Sequence, residues 1–580
     1  MPDKIEEINF CAFDRLDRIQ RLKKEEFDLL IIGGGVTGAG IARDATLRGF
    51  KVALVDKSDF AFGTSSRSSK LAHGGFRYLK SLEFGLVRES EAERNWLRKD
   101  FPNLVRPLPM LAPVYEGEKY TPFLLRLGVF FYNLLDNGNF KKGKYLKKVK
   151  KIQQMEPTIT TEGLIGAGII YDTNIDDARL TIETIKEAVF TGDCIAINYL
   201  EIIELIKDES TGKVIGGVAR DNLTEEKPFS IRAKLVVNAT GIWTDDLLTN
   251  KPEGFPDKII RPTKGVHVIF KKEDVPINYA SGITSHIDGR FFFVISRENF
   301  IVIGTTDTDY KDDLNTPVCT KEDSDYLLST VKIKFPSVNV SYDRMVGSYA
   351  GIRPLARPKT KPGKDIDESA ISRGHQIIKS EDDLVSICGG KLTTFRVMAE
   401  DLMRNHILKL AKDKIPGKSF NKKKGIAKKK YLISLERDEW DSNELVKEVI
   451  VDGFLDGHQL EHLYQQYGKG ALIILKRAKQ HPELRERIVQ NEDSKYAPWI
   501  MGEIEYILLH DAPVHLVDIF ARRLEFQWLV HPKKQPPAVK KVANFVGKLM
   551  KWDETRQEEE KKQYLEYLAE NSFFYEGKLE

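Results

Sequence analysis

The run Phe27 to Gly49, FDLLIIGGGVTGAGIARDATLRG, constrains this chain more than any other stretch. An apolar strand over Phe27 to Ile32 enters Gly33-Gly34-Gly35-Val36-Thr37-Gly38, and a helix-forming segment from Ala39 to Arg48 leaves it. A second strand, Lys51 to Val55, ends at Asp56. Gly33, Gly35 and Gly38 have the G-x-G-x-x-G spacing. The first allows a tight turn, the second lets backbone approach a pyrophosphate, and the third lets helix and strand pack closely. The helix start offers unpaired N–H groups and a positive dipole end to phosphates. Asp56, 18 positions after Gly38, is placed to accept hydrogen bonds from a ribose. Alone the glycine spacing is weak. With strand, turn, helix, strand and acid in order, it predicts a Rossmann-like dinucleotide site.

At 580 residues the chain is long enough for two or more domains with large cores. Its 41 % hydrophobic and 30 % charged content describe a globular protein rather than a disordered one. A net charge of +4 is small for this length and calls for no nucleic acid. Cys11, Cys194, Cys319 and Cys388 are scattered, which argues for a reducing, cytoplasmic setting and against a disulfide framework or metal site. The start, MPDKIEEINF, does not read as a secretory signal. No apolar run reaches the roughly 20 residues that span a bilayer. The nearest approach, Phe123 to Leu135, is interrupted by Arg126, so any membrane contact is expected to be peripheral.

Along the chain, residues 1–24 read as a charged, partly helical leader, and 25–411 as one oxidoreductase region with interleaved subdomains. Ser81 to Lys99 has a polar amphipathic helical pattern. Pro102 to Asp172 looks irregular, as an inserted or capping region would. Asp177 to Thr191 is helical in spacing, strand alternation follows, and Lys234 to Val237 ends in Asn238-Ala239-Thr240-Gly241. Gly265 to Thr306 suggests an antiparallel sheet. Residues 412–430, rich in lysine with Pro and Gly, read as a linker to a helical domain over 431–580.

Three features favour FAD over a nicotinamide cofactor. The second strand runs into Thr64-Ser65-Ser66-Arg67-Ser68-Ser69-Lys70, a hydroxyl-rich loop suited to a buried pyrophosphate and ribityl chain. The turn at Gly241 reads as a second crossing on the adenine side. Gly389-Gly390-Lys391-Leu392-Thr393-Thr394 opens a helix whose dipole would stabilise negative charge on a reduced ring.

The strings TSSRSSKLAHGGFRYL (64–79), DDARL (176–180), LVVNATG (235–241), IGTTDTDY (303–310), YAGIRPL (349–355) and GGKLTTFR (389–396), with the glycine run before them, resemble one family. It is that of the FAD-dependent glycerol-3-phosphate dehydrogenases, within the D-amino-acid-oxidase-like flavoproteins and related to alpha-glycerophosphate oxidase. GEIEYILLHDAPVHLVDIFARR (502–523) is similar to that family's helical domain. The resemblance implies an α/β fold: a Rossmann-like FAD domain, an antiparallel-sheet substrate domain and a C-terminal helical domain. It implies a cofactor site at Gly33, Gly35, Gly38, Asp56, Thr64, Ser65, Ser66, Ser69, Lys70, Gly241, Gly390, Leu392 and Thr393. It implies a pocket lined by Arg77, Tyr78, Thr305, Arg353, Arg373 and Lys391, cations suited to a phosphomonoester near its dianion. Oxidation of the secondary alcohol needs a base titrating near neutrality. His73, beside Gly74-Gly75, is the first candidate and His267 the second, with Arg353 stabilising the developing alkoxide.

Members of the family pass electrons to a membrane quinone, whereas its oxidase relatives use oxygen. The absence of a large insertion between Thr306 and Lys391 favours the dehydrogenase. A peripheral place on the inner face of the cytoplasmic membrane is the corresponding expectation. Its candidate basic surfaces are Lys141 to Lys151, with seven lysines, Lys422 to Lys430, with six, and the amphipathic Lys540 to Trp552. A homodimer is compatible with the sequence. The competing readings are a peroxide-forming oxidase, an amine or amino-acid oxidase, and a flavin-stabilised scaffold.

Overall fold

The computed structural model describes residues 10–75, 83–118, 121–135, 143–248, 251–357, 374–490, 497–577 and 579. Helix α1 (Arg15–Lys24) leads into β1 (Glu26–Ile32), which turns at the glycines into α2 (Val36–Leu47), and β2 (Val52–Val55) returns parallel to β1. The turn depends on missing side chains. Gly33 has φ +111°, and a Cβ there would stand 2.5 Å from the Ala239 carbonyl oxygen. One on Gly38 would stand 1.9 Å from the Gly33 oxygen. Residues 1–9 lie outside the described residues, but α1 buries Ile19 and Leu22 against the sheet.

The first sheet runs β16 (His375–Lys379), β17 (Val385–Gly389), β9 (Phe229–Asn238), β1, β2, β6 (Cys194–Ile197). Its central strands are parallel and buried without alternation, because both faces are covered. A hairpin of β7 (Leu200–Lys207) and β8 (Val214–Asp221) extends from β9. Helices α3 (Phe84–Asp100), α4 (Pro122–Leu135), α5 (Val149–Met155) and α6 (Asp177–Thr191) follow in the chain, and α6 packs beside α2.

The second sheet runs β14 (Thr308–Asp309), β10 (Ile260–Lys271), β13 (Phe300–Gly304), β12 (Phe291–Arg297), β11 (Ala280–Thr284), β3 (Arg106–Tyr115), β5 (Leu164–Asn174), β4 (Lys144–Leu146). Strand β15 (Met345–Ala356) pairs along β10. The antiparallel expectation for 265–306 therefore holds. The irregular reading of 102–172 does not, because β3 and β5 form a long antiparallel ladder from Arg106 opposite Asn174 to Tyr115 opposite Leu164. Pro107, Pro109 and Pro113 disguise β3 as a loop, yet Met110, Leu111 and Val114 are core residues.

Residues 412–430 lie against α2: Phe420 stacks on Phe50 with centroids 3.7 Å apart, and Arg43 donates to the Ala427 carbonyl at 2.6 Å. The helices beyond them include Gly457–Tyr467, Lys469–Gln480, Met501–His510, Gln535–Met550 and Glu554–Glu570. The stripe Val542, Phe545, Val546 and Leu549 faces this domain's own core, so it is no lipid-facing surface. Buried ion pairs fasten the domain to the flavin half. Asp59 receives Arg522 at 2.5 Å together with Arg523, and Asp511 receives Arg179 at 2.7 Å and Lys186 at 2.9 Å.

Candidate active site

A cleft enclosing about 1400 Å³ of empty space, open solvent included, lies at the carboxyl ends of β1, β2 and β9. Gly33, Gly35, Asp56, Thr64, Ser65 and Gly241 line it, and Gly390 and Leu392 close one end. The Asp56 carboxylate accepts the Gly34 N–H at 2.6 Å and the Ser58 N–H at 2.9 Å. Burial raises its pKa to about 6. Ser65 Oγ accepts the Val36 N–H at 3.0 Å, and no side chain caps α2 at Gly35. A cradle that a Cβ would fill, an uncapped helix start and an acid ending β2 fit a dinucleotide such as FAD.

Three residues expected to hold the cofactor, Gly38, Ser66 and Lys70, line neither this cleft nor the chamber beyond it. The Lys70 ammonium bonds the Ser66 carbonyl at 2.9 Å and pairs with Asp177 at 2.5 Å and Glu525 at 2.9 Å. A buried ammonium needs carboxylates, and they stand on α6 and the C-terminal domain. The trio Asp176, Asp177 and Glu525 has ligand atoms close enough for a metal, but Lys70 and Arg297 already pair with these acids.

A second chamber adjoins the first, with Thr64, Pro354, Gly390 and Lys391 bordering both. Into it the fold brings His73, Ser69, His267, Thr305, Arg353, Leu392 and Thr393. His267 on β10 is buried, its Nε2 lies 2.9 Å from Ser69 Oγ, and its ring stacks on Tyr349 at 4.7 Å. Burial first, then the charges of Arg353 and Lys70, hold its pKa well below 6.5, so the imidazole is neutral. Arg353 on β15 donates to Asp307 at 2.9 Å, to Thr305 Oγ1 at 3.0 Å and to the Thr306 carbonyl at 3.0 Å. Lys391 donates to Ser90 Oγ at 3.3 Å, and Thr393 Oγ1 to the His73 carbonyl at 3.4 Å. Arg77, Tyr78 and Arg373 lie outside the described residues.

Asp172, Asp307, Phe291 and Phe293 belong to this neighbourhood and were not foreseen. Asp172 accepts the Gly74 N–H at 3.1 Å and the Tyr132 hydroxyl at 3.2 Å, and burial lifts its pKa to about 6 against the pull of Arg94. Asp307 sits inside the quoted string IGTTDTDY, so its nearness to Arg353 had a signal. Asp172 precedes DDARL by four positions, and only the β3–β5 ladder shows it facing the chamber.

Residues 28–395 match the family described as "FAD dependent oxidoreductase", and residues 430–557 match "C-terminal domain of alpha-glycerophosphate oxidase". The chain is 34 % identical over 557 residues to an aerobic glycerol-3-phosphate dehydrogenase of Bacillus subtilis (strain 168), covering 94 % of this chain and 95 % of that one. An aerobic glycerol-3-phosphate dehydrogenase of Staphylococcus aureus (strain USA300) is 41 % identical over 402 residues, 69 % of this chain and 71 % of that one. Among solved structures, the glycerol-3-phosphate dehydrogenase from Bacillus halodurans complexed with FAD superposes with a TM-score of 0.75 at 29 % identity, covering 98 % of this chain and 100 % of that one. The FAD-bound L-alpha-glycerophosphate oxidase from Mycoplasma pneumoniae shares the fold, with a TM-score of 0.52 at 18 % identity over 70 % of this chain and 98 % of that one. With a glycine cradle opening onto a cation-lined chamber, and with these matches spanning both halves, the chain belongs to the family of FAD-dependent glycerol-3-phosphate dehydrogenases.

Proposed function

We propose that the protein oxidises sn-glycerol 3-phosphate to dihydroxyacetone phosphate and passes the electrons to a membrane quinone. The observation that carries this reading is the convergence of His267, Thr305, Arg353 and Lys391 on a chamber continuous with the dinucleotide cleft. FAD, when bound, supplies the acceptor for the hydride of C2. The chain's own side chains do the rest. Lys391 meets the phosphate as a point charge, with Arg77 and Arg373 as further cations in our assignment. His267, its basicity restored as a dianionic substrate offsets the charges of Arg353 and Lys70, takes the C2 hydroxyl proton, and Arg353 stabilises negative charge on that oxygen while Asp307 holds its fork in place. His73, half-buried in the same chamber, is the second candidate base.

No helix among the described residues is long and apolar enough to cross a membrane. In our reading the enzyme lies on the inner face of the cytoplasmic membrane, and a homodimer is compatible with that placement. A second reading has an observation of its own: the match of 430–557 to an oxidase's C-terminal domain favours oxygen as acceptor, with hydrogen peroxide as product. Anaerobic addition of glycerol 3-phosphate to the yellow holoenzyme tests the oxidation. Bleaching of the flavin band is expected, and an unchanged spectrum would overturn the assignment. Stoichiometric peroxide on admitting air, with no reduction of an added quinone, would replace the first reading by the second.

A further inference from the structure

Helix α4 (Pro122–Leu135) is two-faced in an unusual direction. Leu125, Val129 and Tyr132, spaced four and three apart, are buried against β5 and β4. The opposite stripe, Phe123, Leu127, Phe130 and Leu134, is solvent-exposed, at 71 %, 39 %, 60 % and 58 %, with Leu124 beside it at 52 %. Single exposed apolar side chains are ordinary, but five on one helix face form a contact surface.

The surroundings say what it contacts. From Thr121 to Met155 the sequence holds eight basic residues and one acid, Asp136. Arg126 lies on the helix itself, 4.5 Å over the Tyr145 ring. Lys144 on β4 and Lys147, Lys148, Lys150 and Lys151 leading into and along α5 are all exposed beside it. Strand β4 is tied to α4, with Gly143 N–H donating to Asn133 at 2.8 Å. An apolar stripe bordered by cations complements an anionic lipid surface, with rings and leucines among acyl chains and lysines at the headgroups. A second copy is the poorer occupant. A two-fold contact would press these like charges together, and five side chains fall short of the roughly 20 to 30 residues a side of a stable interface.

We propose that the outer face of α4, with the lysines of β4 and α5, is the surface by which this protein docks on an anionic bilayer. This rests on the quinone-linked reading and gives it a geometry. Tyr132 on the inner face donates to Asp172 of the substrate chamber at 3.2 Å, so one helix, about 10 Å thick, separates chamber from lipid. An acceptor dissolved in the bilayer is thereby brought close to the reduced centre.

The test is co-sedimentation of the holoenzyme with vesicles of phosphatidylglycerol and phosphatidylcholine, against phosphatidylcholine alone. Wild type is expected to pellet with the anionic vesicles and to be released by salt. Phe123→Ser with Phe130→Ser should weaken that binding by about tenfold or more. Glycerol 3-phosphate oxidation with a water-soluble dye should stay within about twofold, because neither side chain touches the chamber. Lys147→Glu with Lys150→Glu, a purely surface change, should weaken binding by about tenfold as well. Undiminished vesicle binding by both variants, or none by wild type, would overturn the proposal. So would a wild-type dimer that the Phe variant turns into a monomer, since the face would then be a subunit contact. Vesicle binding without substrate bleaching of the flavin would sink the catalytic reading and leave the docking surface standing.

Discussion

Two adjoining cavities of this protein are built by opposite means. The dinucleotide cleft is largely backbone: its glycine turn, the uncapped start of α2 and the acid after β2 lie within 24 consecutive positions, Gly33 to Asp56. The chamber beside it is side chains, carried by the loop after β2, by β5, β10 and β15, and by the turn after β17. Backbone cradles recognise a shape common to many cofactors, whereas gathered side chains recognise one substrate. The first therefore fails through steric intrusion, the second through lost charge or proton transfer.

Substitutions can test that contrast. Gly38→Val should have the largest effect, since even a Cβ meets the Gly33 oxygen at 1.9 Å. The purified variant should be colourless, and retained flavin absorbance would break the backbone half of the comparison. His267→Gln should leave flavin content intact and lower kcat by about 10² to 10⁴. A larger loss in His73→Gln than in His267→Gln would move the base to His73. Glu525→Gln removes the carboxylate shared by buried Lys70 and Arg297 and should destabilise the fold by about 3 to 5 kcal/mol in a denaturant titration. Arg353→Lys should cost about 10² in kcat/KM, because a point charge cannot serve Asp307, Thr305 and substrate together. An unaltered kcat/KM would mean that the fork is only structural.

The smallest effect is one of pH. His267 has a folded pKa well below 6.5, so below about pH 6.5 the unfolded chain takes a proton that the folded one refuses. Stability should fall with decreasing pH there, by up to about 1.4 kcal/mol per pH unit for this one group, until the folded pKa is reached. Above about pH 6.5 the group contributes nothing. Subtracting the curve for His267→Gln from that of wild type isolates the slope, and a flat difference would show that His267 is not desolvated.

Three neighbouring residues show how far reading alone reaches. Ser65, Ser69 and Lys70 sit in one hydroxyl-rich loop, and the string suggests one role for all three. In the fold Ser65 meets the start of α2, Ser69 meets His267, and Lys70 turns to Asp177 and Glu525. Nothing in the loop's spacing distinguishes them, because each partner lies on a different element. Phe123 to Leu135 is similar: its apolarity is plain in the string, but which stripe is covered depends on β5 behind it.

Glycine spacing and hydrophobic periodicity act over a few neighbouring residues, so the dinucleotide fold, the antiparallel second sheet and the helical C-terminal domain are legible in the chain. Long-range packing was needed to show that the proline-rich 102–115 belongs to the second sheet, that Asp172 adjoins the chamber, and that Glu525 of the last domain steadies the loop beside His267. Those facts rest on contacts between residues dozens to hundreds of positions apart, and burial and charge pairing across such distances leave no periodic trace in the chain.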